Sequence, residues 1–447
     1  KVLLVGGVSL IGGHQCDVVS CTWTRDPPTY DTAILAQDNE GLTADDTITR
    51  ATSVAGFRIM GQDGPGVPGS MGRAAVTLAG GSPTFEADRI FAPSVTSGGW
   101  PEGRSFGILI VGPTNSSDGA LIENCQINVD RTGQAIFGQT PIGGAGVGFE
   151  GQALTSAAVR KNLIRGADGK NSTGIALWSS AATTRIEFND ISAGNAPSDA
   201  YGIVIGAKGL INANTINVST LTGSCSGTTG WCGGILSESA TFFIVNNVVK
   251  GMRGAQSAAV RLAEFEQPAG RIVLNSNLLD GVGKAGGIST AINLTIGIGM
   301  GLVGHVGEIR NNILIGGLGD RRFGVYEDPA PGKTQHPDAL ENNLFWVVNS
   351  GTGTGALYRF YDSALAVPEK LFTQIVDVNN NLAPLILTPV TIGSNLNQDP
   401  KVDATFHLLT GSPAVDMATP TDAPTTDMDA ESRPMGAGFD IGPDETQ

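Results

Sequence analysis

Charged and aromatic residues are scarce in this 447-residue chain, and basic residues are scarcer than acidic ones. Asp, Glu, Lys and Arg make up 15% of the sequence, Phe, Trp and Tyr make up 6%, and the formal net charge is −15. A nucleic-acid-binding protein needs a basic surface that displaces counterions, and attachment to an anionic membrane needs a polybasic segment. The composition therefore argues against both classes.

Long uninterrupted apolar runs are also missing. The least charged long stretch, residues 286–306, contains Ser289, Thr290, Asn293 and several glycines, so it predicts buried strands rather than a membrane span. Helix formers with long charged side chains are few, whereas glycine occurs 63 times, which argues against a helical protein. With 40% hydrophobic residues the chain has enough apolar surface to fold.

Cysteine is rare, and four of the five cysteines form close pairs. Cys16 lies near Cys21, and Cys225 lies near Cys232, each pair in a segment rich in Gly, Ser, Thr and Trp. The spacing predicts two local disulfides and an oxidising compartment. Zinc is the alternative, but no nearby histidine completes a set of four ligands. The remaining cysteine, Cys125, is expected to be a buried thiol.

One short pattern recurs along the chain: an aliphatic residue, two variable residues, Asn, one variable residue and a second aliphatic residue. The asparagines of its seven copies are Asn162, Asn189, Asn214, Asn247, Asn277, Asn312 and Asn343. An eighth copy, Ile122 to Ile127, carries Cys125 in place of Asn. Successive copies start between 25 residues apart (Ile186 to Ile211) and 37 residues apart (Ile122 to Val159). Periods of this length predict a solenoid.

Each repeat contains short aliphatic runs separated by Gly, Ser, Asp and Asn, which predicts coils of short strands stacked about 4.8 Å apart. Leucine-rich repeats are the alternative, but they need a stricter period and more leucine. We expect each patterned Asn to adopt the left-handed turn conformation, which Asn tolerates. Stacked asparagine amides can also hydrogen-bond along the axis. The pattern resembles the right-handed parallel β-helix, and this resemblance implies an all-β solenoid with a structural asparagine ladder.

The C-terminal residues carry a second, more specific pattern. Its elements are Asn397, Asp399-Pro400, His407-Leu408, Ser412-Pro413-Ala414, Asp416, Asp427, Asp429, Arg433-Pro434, Asp440-Ile441-Gly442 and Glu445. The pattern is similar to the closing module of bacterial surface and secreted β-helix proteins, from which Ala430 and Pro443 depart. Near the start, Trp23-Thr24-Arg25 after two glycine pairs is also similar to these proteins. The resemblance implies an extracellular or outer-cell-surface location.

These features divide the chain into three parts. Residues 1–74 are expected to form irregular β coils, residues 75–385 the parallel β-helix, and residues 386–447 a C-terminal capping module. The end of a β-helix exposes strand edges that must be covered, and this module suits that role. The N-terminal part shows no comparable segment, so end-to-end assembly with further copies is one expectation.

Two functions stay open at this stage. The first is a structural or adhesive protein that binds carbohydrate or another cell-surface component. The alternative is a polysaccharide lyase or glycoside hydrolase, which would work in a groove along the β-helix. A lyase needs a base and a cation that neutralises the sugar carboxylate, and Lys250, Arg253 and Arg271 are the candidates. The competing interpretation, which we favour, is a solvated surface on which Lys250 pairs with Asp280.

The acidic end of the chain offers candidate metal ligands. Asp427, Asp429 and Glu431 alternate along the sequence, and carboxylate oxygens suit Ca²⁺. The alternative is an acidic cap in which Arg433 pairs with a neighbouring Asp. No other cofactor is predicted.

Overall fold

The computed structural model describes residues 2–12, 14–17, 22–25, 32–36, 40–64, 72–93, 104–112, 119–128, 143–150, 157–166, 172–177, 184–196, 199–206, 208–218, 224–225, 230–237, 241–264, 271–296, 303–305, 307–328, 334–347, 354–362, 365, 368–386 and 390–446. The chain forms two compact units. The first comprises Lys1–Ala207 and Ser219–Gly223, and the second comprises Lys208–Val218 and Ser224–Gln447.

The first unit contains short strands. They are β1 (Val2–Leu3), β2 (Leu10–Ile11), β3 (His14–Asp17), β4 (Thr22–Arg25), β5 (Thr32–Leu35), β6 (Glu40–Asp45), β7 (Ser53–Ala55), β8 (Phe57–Met60), β9 (Arg73–Ala79), β10 (Thr84–Glu86), β11 (Arg89–Phe91), β12 (Arg104–Val111), β13 (Leu121–Glu123), β14 (Gln126–Asn128), β15 (Gly143–Glu150), β16 (Ala158–Arg160), β17 (Leu163–Arg165), β18 (Ser172–Leu177), β19 (Thr184–Glu187), β20 (Asp190–Ser192) and β21 (Ala200–Ile205).

The second unit continues the series and adds one helix. Its elements are β22 (Gly209–Asn212), β23 (Thr215–Ile216), β24 (Trp231–Ser237), β25 (Phe242–Val245), β26 (Val248–Lys250), β27 (Gln256–Glu264), β28 (Ile272–Asn275), β29 (Leu278–Asp280), β30 (Ile288–Ile296), β31 (Val303–His305), β32 (Glu308–Arg310), β33 (Ile313–Ile315), β34 (Arg321–Glu327), β35 (Thr334–His336), β36 (Ala339–Glu341), β37 (Leu344–Trp346), β38 (Gly355–Tyr361), β39 (Glu369–Phe372), α1 (Ile375–Asn381), a 3-10 turn (Ala383–Leu385), β40 (Thr391–Gly393) and β41 (Leu396–Asn397). No helix in the described part of the chain has the length and apolar character needed to span a membrane.

Strands from successive coils pair side by side in three sheets. In the first unit, sheet 1 has the order β1-β6-β9-β12-β15-β18-β21, sheet 2 the order β2-β7-β10-β13-β16-β19, and sheet 3 the order β5-β8-β11-β14-β17-β20. In the second unit the orders are β24-β27-β30-β34-β38-β39, β22-β25-β28-β32-β36-β40 and β23-β26-β29-β33-β37-β41. The additional pairs are the antiparallel β3-β4 and the parallel β31-β35. Because each coil contributes one strand to each parallel sheet, the predicted all-β parallel β-helix is confirmed.

The aliphatic positions of the repeated pattern form the inside of the coils. In sheet 2 of the second unit, Ile211, Ile244, Leu274, Ile309 and Leu340 stack in register, and each is at most 1% exposed. The second aliphatic position stacks in sheet 3 as Ile216, Val249, Leu279, Leu314 and Phe345. Burial of one such side chain contributes about 1.5–3 kcal/mol, so these two columns are a major source of stability.

The asparagine between the two columns hydrogen-bonds from coil to coil. The backbone N–H and the side-chain amide of Asn247 both donate to Oδ1 of Asn277, at 2.9 and 3.0 Å. Asn214 donates in the same way to Asn247, Asn277 to Asn312, and Asn312 to Asn343. All five are at most 1% exposed. Each buried amide therefore finds inside the protein the partners that water would otherwise supply.

The first unit contains the same arrangement around a cysteine. Asn162 donates its backbone N–H and its side-chain amide to Oδ1 of Asn189, both at 3.0 Å. Cys125, at the position expected for Asn, donates its backbone N–H to Oδ1 of Asn162 at 2.8 Å. Its thiol is buried and unpaired with another cysteine, as predicted, and burial raises its pKa.

The left-handed residue of the turn is not the ladder asparagine but the residue before it. Positive φ angles occur at Asn246 (56°), Ser276 (56°) and Asn311 (58°), and at Lys161 and Phe188 (both 55°). The expected left-handed conformation of the patterned Asn is therefore wrong. Asparagine is needed at its own position because its side chain both donates and accepts, whereas the left-handed position tolerates several residue types at modest cost.

A glycine after the sheet 3 strand lets the next strand approach closely. A Cβ atom at Gly281 would lie 2.6 Å from the backbone nitrogen of Thr290. A larger residue here would push sheet 1 outward, so the glycines that follow the asparagine pattern have a packing role.

The last coil is completed by β39 and α1. Asn343 donates to Oδ1 of Asn395 with both N–H groups at 3.0 Å, and Asn395 donates to Oδ1 of Asn379 in α1 at 3.2 and 2.9 Å. Strand β39 pairs antiparallel with β38. The ladder and sheet 1 of the second unit thus end in a helix and a reversed strand rather than in a further coil.

The residues after β41 run back along the turns of the second unit. The side-chain amides of Asn342, Asn311, Asn275 and Asn246 donate, in that order, to the carbonyls of Met417, Thr419, Thr421 and Thr426, at 2.7–3.1 Å. The module expected to cover an open strand edge therefore lies lengthwise against four successive coils. Its anchor is the buried guanidinium of Arg433, which pairs with Glu445 rather than with a neighbouring Asp.

Candidate functional site

Four side chains lie in one row across sheet 1 of the second unit. Arg261 of β27 is in register with Asn293 of β30, Asn293 with Tyr326 of β34, and Tyr326 with Arg359 of β38. The residues that precede them in sequence, Val260, Ile292, Val325 and Tyr358, are fully buried in the core. Alternation along a strand therefore directs these four residues, which we call the polar row, to the side of the sheet away from the core. Asn293, Tyr326 and Arg359 are nevertheless at most 4% exposed.

Contacts between neighbouring rungs hold the polar row in place. Arg261 donates from Nε to Oδ1 of Asn293 at 3.2 Å, and the Asn293 side chain donates to the carbonyl of Tyr326 at 3.3 Å. The guanidinium of Arg359 lies 4.5 Å from the centroid of the Tyr326 ring, a distance at which the cation is attracted to the ring face. The row is thus a fixed set of planar groups, one per rung.

Aromatic rings lie next to the polar row. The Trp231 and Tyr326 ring centroids are 5.9 Å apart, and those of Phe323 and Tyr326 are 5.0 Å apart. The Arg261 guanidinium lies 5.8 Å from the Trp231 centroid. These rings are buried and Arg261 is half-buried, so the guanidinium is the part of the row that approaches solvent most closely.

Two carboxyl groups beside the row have pKa values moved in opposite directions. Burial raises the pKa of Asp328, an effect that the charge of Arg261 and a hydrogen bond from Thr295 partly offset. A hydrogen bond from Arg359, 2.9 Å long, lowers the pKa of Glu369. The charge of Arg359 acts to lower the pKa of both groups. Two carboxyl groups whose pKa values are shifted apart can supply an acid and a base in catalysis.

A third carboxyl group, Glu327, faces the inside of the coil. It accepts hydrogen bonds from Nδ1 of His336 at 2.9 Å, from the Tyr358 hydroxyl, and from the backbone N–H of Tyr361 at 2.6 Å. Burial raises the pKa of Glu327. The His336 ring stacks on Phe360 with a centroid distance of 5.0 Å. The buried Glu327 carboxylate thus has hydrogen-bond partners inside the protein, and we assign it and its partners a structural role.

The three basic residues suggested for a lyase have separate partners. Lys250 ends β26 in register with Asp280, and its ammonium lies 5.0 Å from the Phe406 ring centroid. Arg271 pairs with Glu308 and Asp422 at 2.7 and 2.5 Å. Arg253 is exposed and pairs through its backbone with Ser224. Burial raises the pKa of Asp280, and the Lys250 charge partly offsets this effect.

One of the two predicted disulfides is present. Cys225 and Cys232 are bonded, with their Cα atoms 6.2 Å apart. For the other pair, Cys16 lies in β3 with its backbone opposite Trp23, whereas Cys21 lies outside the described residues. The Cys16–Cys21 bond therefore stays a prediction.

The predicted metal ligands are grouped differently in space. The Asp427 carboxylate accepts the backbone N–H groups of Asp429 and Glu431 at 2.9 and 2.8 Å. Asp429 instead meets His407 and Asp444, and ligand atoms of these three lie within 4.8 Å of one another. The side chain of Glu431 is not in this group, and the residue is exposed.

The polar row was not predicted from the sequence. Its members are separated by 32 or 33 residues along the chain, since Arg261, Asn293, Tyr326 and Arg359 each belong to a different coil. The run "FGVYE", residues 323–327, is one of the short apolar runs that predict strands. Loops of variable length conceal its register with the strands of other coils. The asparagine pattern alone could not have fixed it, because the count from the ladder asparagine to the row residue is 14 in two coils (from Asn247 and Asn312) and 16 in the other two (from Asn277 and Asn343).

Comparisons with solved structures found similar chains, among them the two described here. No protein-family model and no curated protein matches the chain. The chain is similar to the Dettilon tailspike protein (gp208), with 16% identity and a TM-score of 0.30 over 74% of this chain and 60% of that one. It is also similar to the PL6 family polysaccharide lyase Pedsa3628 from Pseudopedobacter saltans, with 12% identity and a TM-score of 0.30 over 98% of this chain and 92% of that one. The chain thus spans less than two thirds of the tailspike chain that it matches.

Proposed function

We propose that the protein is an extracellular β-helix that binds carbohydrate at the polar row. The observation that carries this proposal is the register of Arg261, Asn293, Tyr326 and Arg359 on four consecutive rungs. A linear glycan would meet the row at Arg261, the member that reaches solvent, because the other three members are at most 4% exposed. The Cys225–Cys232 disulfide supports the location, because disulfides persist in oxidising compartments.

The accessible chemistry suits hydroxyl and carboxylate groups of sugars. Arg261 offers several N–H donors from a half-buried position, and Asp328, also half-buried, offers acceptors. Both are held by neighbours in the sheet, so little side-chain freedom is lost on binding. Negative sugar groups would lie near Arg261, and hydroxyl groups near Asp328.

Binding is expected to depend on Arg261. Wild-type protein is titrated by calorimetry with dextran, alginate and polygalacturonate, and the best ligand is then titrated into Arg261→Ala. Loss of a hydrogen bond from a charged group costs about 1.5–3 kcal/mol, so the affinity should fall about 10- to 100-fold. Lys284→Ala is the matched control, because Lys284 is an exposed cation that precedes the same strand as Asn293. Absence of binding by the wild type, or equal losses in both variants, would contradict the proposal.

A second candidate function, hydrolysis of the bound glycan, is favoured by Asp328 and Glu369. Asp328, with its raised pKa, would donate a proton to the glycosidic oxygen, and Glu369 would serve as the base or nucleophile. The binding experiment separates the two functions when reducing ends and unsaturated products are measured in the same mixtures. New reducing ends that disappear in both Asp328→Asn and Glu369→Gln would establish hydrolysis. Unsaturated products would instead establish a lyase, and binding without products leaves the adhesive role.

End-to-end assembly of copies stays a proposal with one supporting feature. In the first coil, the apolar residues Leu3, Val5 and Leu35 are exposed to solvent over 58–62% of their surface. In the second unit, β39 and α1 complete sheet 1 and the ladder.

A further inference from the structure

Three potential metal ligands converge in the closing module. The His407 Nε2 atom lies 2.8 Å from Oδ2 of Asp429, and ligand atoms of His407, Asp429 and Asp444 all lie within 4.8 Å of one another. Nitrogen and oxygen ligands each lie about 2.0–2.2 Å from a bound Zn²⁺ ion. The ligand atoms of these three residues are close enough together for one ion to bind between them after small side-chain shifts.

Hydrogen bonds orient these groups. The other ring nitrogen of His407, Nδ1, contacts the Thr405 hydroxyl at 2.9 Å, which leaves Nε2 directed to the carboxylates. Oδ2 of Asp444 accepts the backbone N–H of Leu408 at 2.6 Å. Contacts of this kind fix the ring orientation and tautomer of metal-binding histidines and hold the ligating carboxylates.

An independent observation comes from Asp427. Its side chain is fully buried, and one carboxylate oxygen, Oδ2, has no hydrogen-bond partner. Besides burial, the charges of Asp427 and Asp429 both raise the pKa of Asp444, so each of them is close enough to repel the Asp444 carboxylate. Among the residues that the structure describes, no Lys or Arg forms an ion pair with Asp427, Asp429 or Asp444. A buried, unpaired carboxylate oxygen is costly, and a cation would compensate it.

We propose that His407, Asp429 and Asp444 bind one divalent transition-metal ion, whose charge the buried Asp427 carboxylate would help to balance. The combination of an imidazole nitrogen with carboxylate oxygens suits Zn²⁺ or Mn²⁺, whereas Ca²⁺ takes oxygen ligands. The ion and the ligand set therefore both differ from the sequence expectation of Ca²⁺ at Asp427, Asp429 and Glu431. The ion would join three segments of the closing module: residues 403–408, 427–431 and 443–445.

Metal titration of the intact chain tests this proposal. After EDTA treatment and dialysis, Zn²⁺, Mn²⁺ and Ca²⁺ are each titrated by calorimetry, and thermal unfolding is followed with each ion. We expect one equivalent of Zn²⁺ or Mn²⁺ to bind and to raise the melting temperature, because an ion that binds only the folded state stabilises it. Failure of Zn²⁺ and Mn²⁺ to bind at millimolar concentration, or binding of Ca²⁺ alone, would overturn the proposal.

Three variants identify the ligands. His407→Gln and Asp429→Asn should each weaken binding by at least about tenfold, since loss even of an outer-shell partner has an effect of this size. Glu431→Gln is the control, and its affinity should match that of the wild type. The electron paramagnetic resonance spectrum of bound Mn²⁺ adds a readout that does not depend on protein stability. Hyperfine coupling between the ion and a histidine nitrogen should be present in the wild type and lost in His407→Gln. Unchanged coupling, or equal affinity of His407→Gln and Glu431→Gln, would place the ion elsewhere and refute the assignment.

Discussion

Replacement of Asn277 by alanine is expected to lower the free energy of unfolding by about 3–5 kcal/mol. The Asn277 side chain accepts both N–H groups of Asn247 and donates to the carbonyl of Ile244 and to Oδ1 of Asn312. The Asn277 side chain is fully buried, so water cannot replace these hydrogen bonds. Alanine leaves donors and acceptors without partners on both adjacent coils and creates a cavity, and each effect costs free energy.

Chemical denaturation of the two proteins measures this difference. Asn381→Ala is the matched control, because Asn381 is exposed and its side chain donates to Asp377 at 2.8 Å on the same helix. We expect the control to change stability by no more than about 0.5 kcal/mol. Similar stabilities of Asn277→Ala and the control would mean that the ladder does not hold the coils together.

Replacement of Arg433 by methionine is expected to destabilise the closing module by about 3–5 kcal/mol, the cost of breaking a buried ion pair from one side. The Arg433 and Glu445 side chains are both 0% exposed and meet at 2.7 Å. Arg433 also donates to Oδ1 of Asn246 and to the carbonyls of Gly442 and Asp440. Methionine fills similar space but leaves the Glu445 carboxylate buried without its cation.

Limited proteolysis combined with denaturation tests this second prediction. In Arg433→Met, cleavage within residues 398–446 should accelerate strongly, because the module would separate from the turns at Asn246, Asn275 and Asn311. Lys401→Met is the control, since Lys401 is an exposed cation of the same module that donates to the Gly411 carbonyl. Equal cleavage of the two variants would show that Arg433 does not fix the module.

The sequence was sufficient to predict the coils because the information for them is local. An aliphatic residue, an Asn and a second aliphatic residue within six positions define one turn and two core positions, and this unit recurs in every regular coil. The pattern missed the last ladder position because Asn397 stands where an aliphatic residue is expected after Asn395. It also missed Asn379, which joins the ladder from a helix and follows no strand pattern.

The arrangement of the closing module and the candidate site could not be predicted in this way. The module's residues were recognised, but their contacts are with turns far earlier in the chain: Met417 meets Asn342, 75 positions earlier, and Thr419 meets Asn311, 108 positions earlier. The polar row depends on the register between coils whose loops differ in length. The proposed metal ligands His407 and Asp429 are 22 positions apart and meet only after the module folds, so the alternation of Asp427, Asp429 and Glu431 indicated the region but not the full ligand set.

Native-state hydrogen exchange of the ladder amides is the most direct test of the central claim, that stacked asparagines join successive coils. The backbone N–H groups of Asn214, Asn247, Asn277 and Asn312 each donate to the next asparagine side chain at 2.9 or 3.0 Å. We predict that these four amides exchange only through global unfolding of the unit, with the free energy obtained from denaturation. Exchange of these amides at the rate of exposed turn residues would contradict the account.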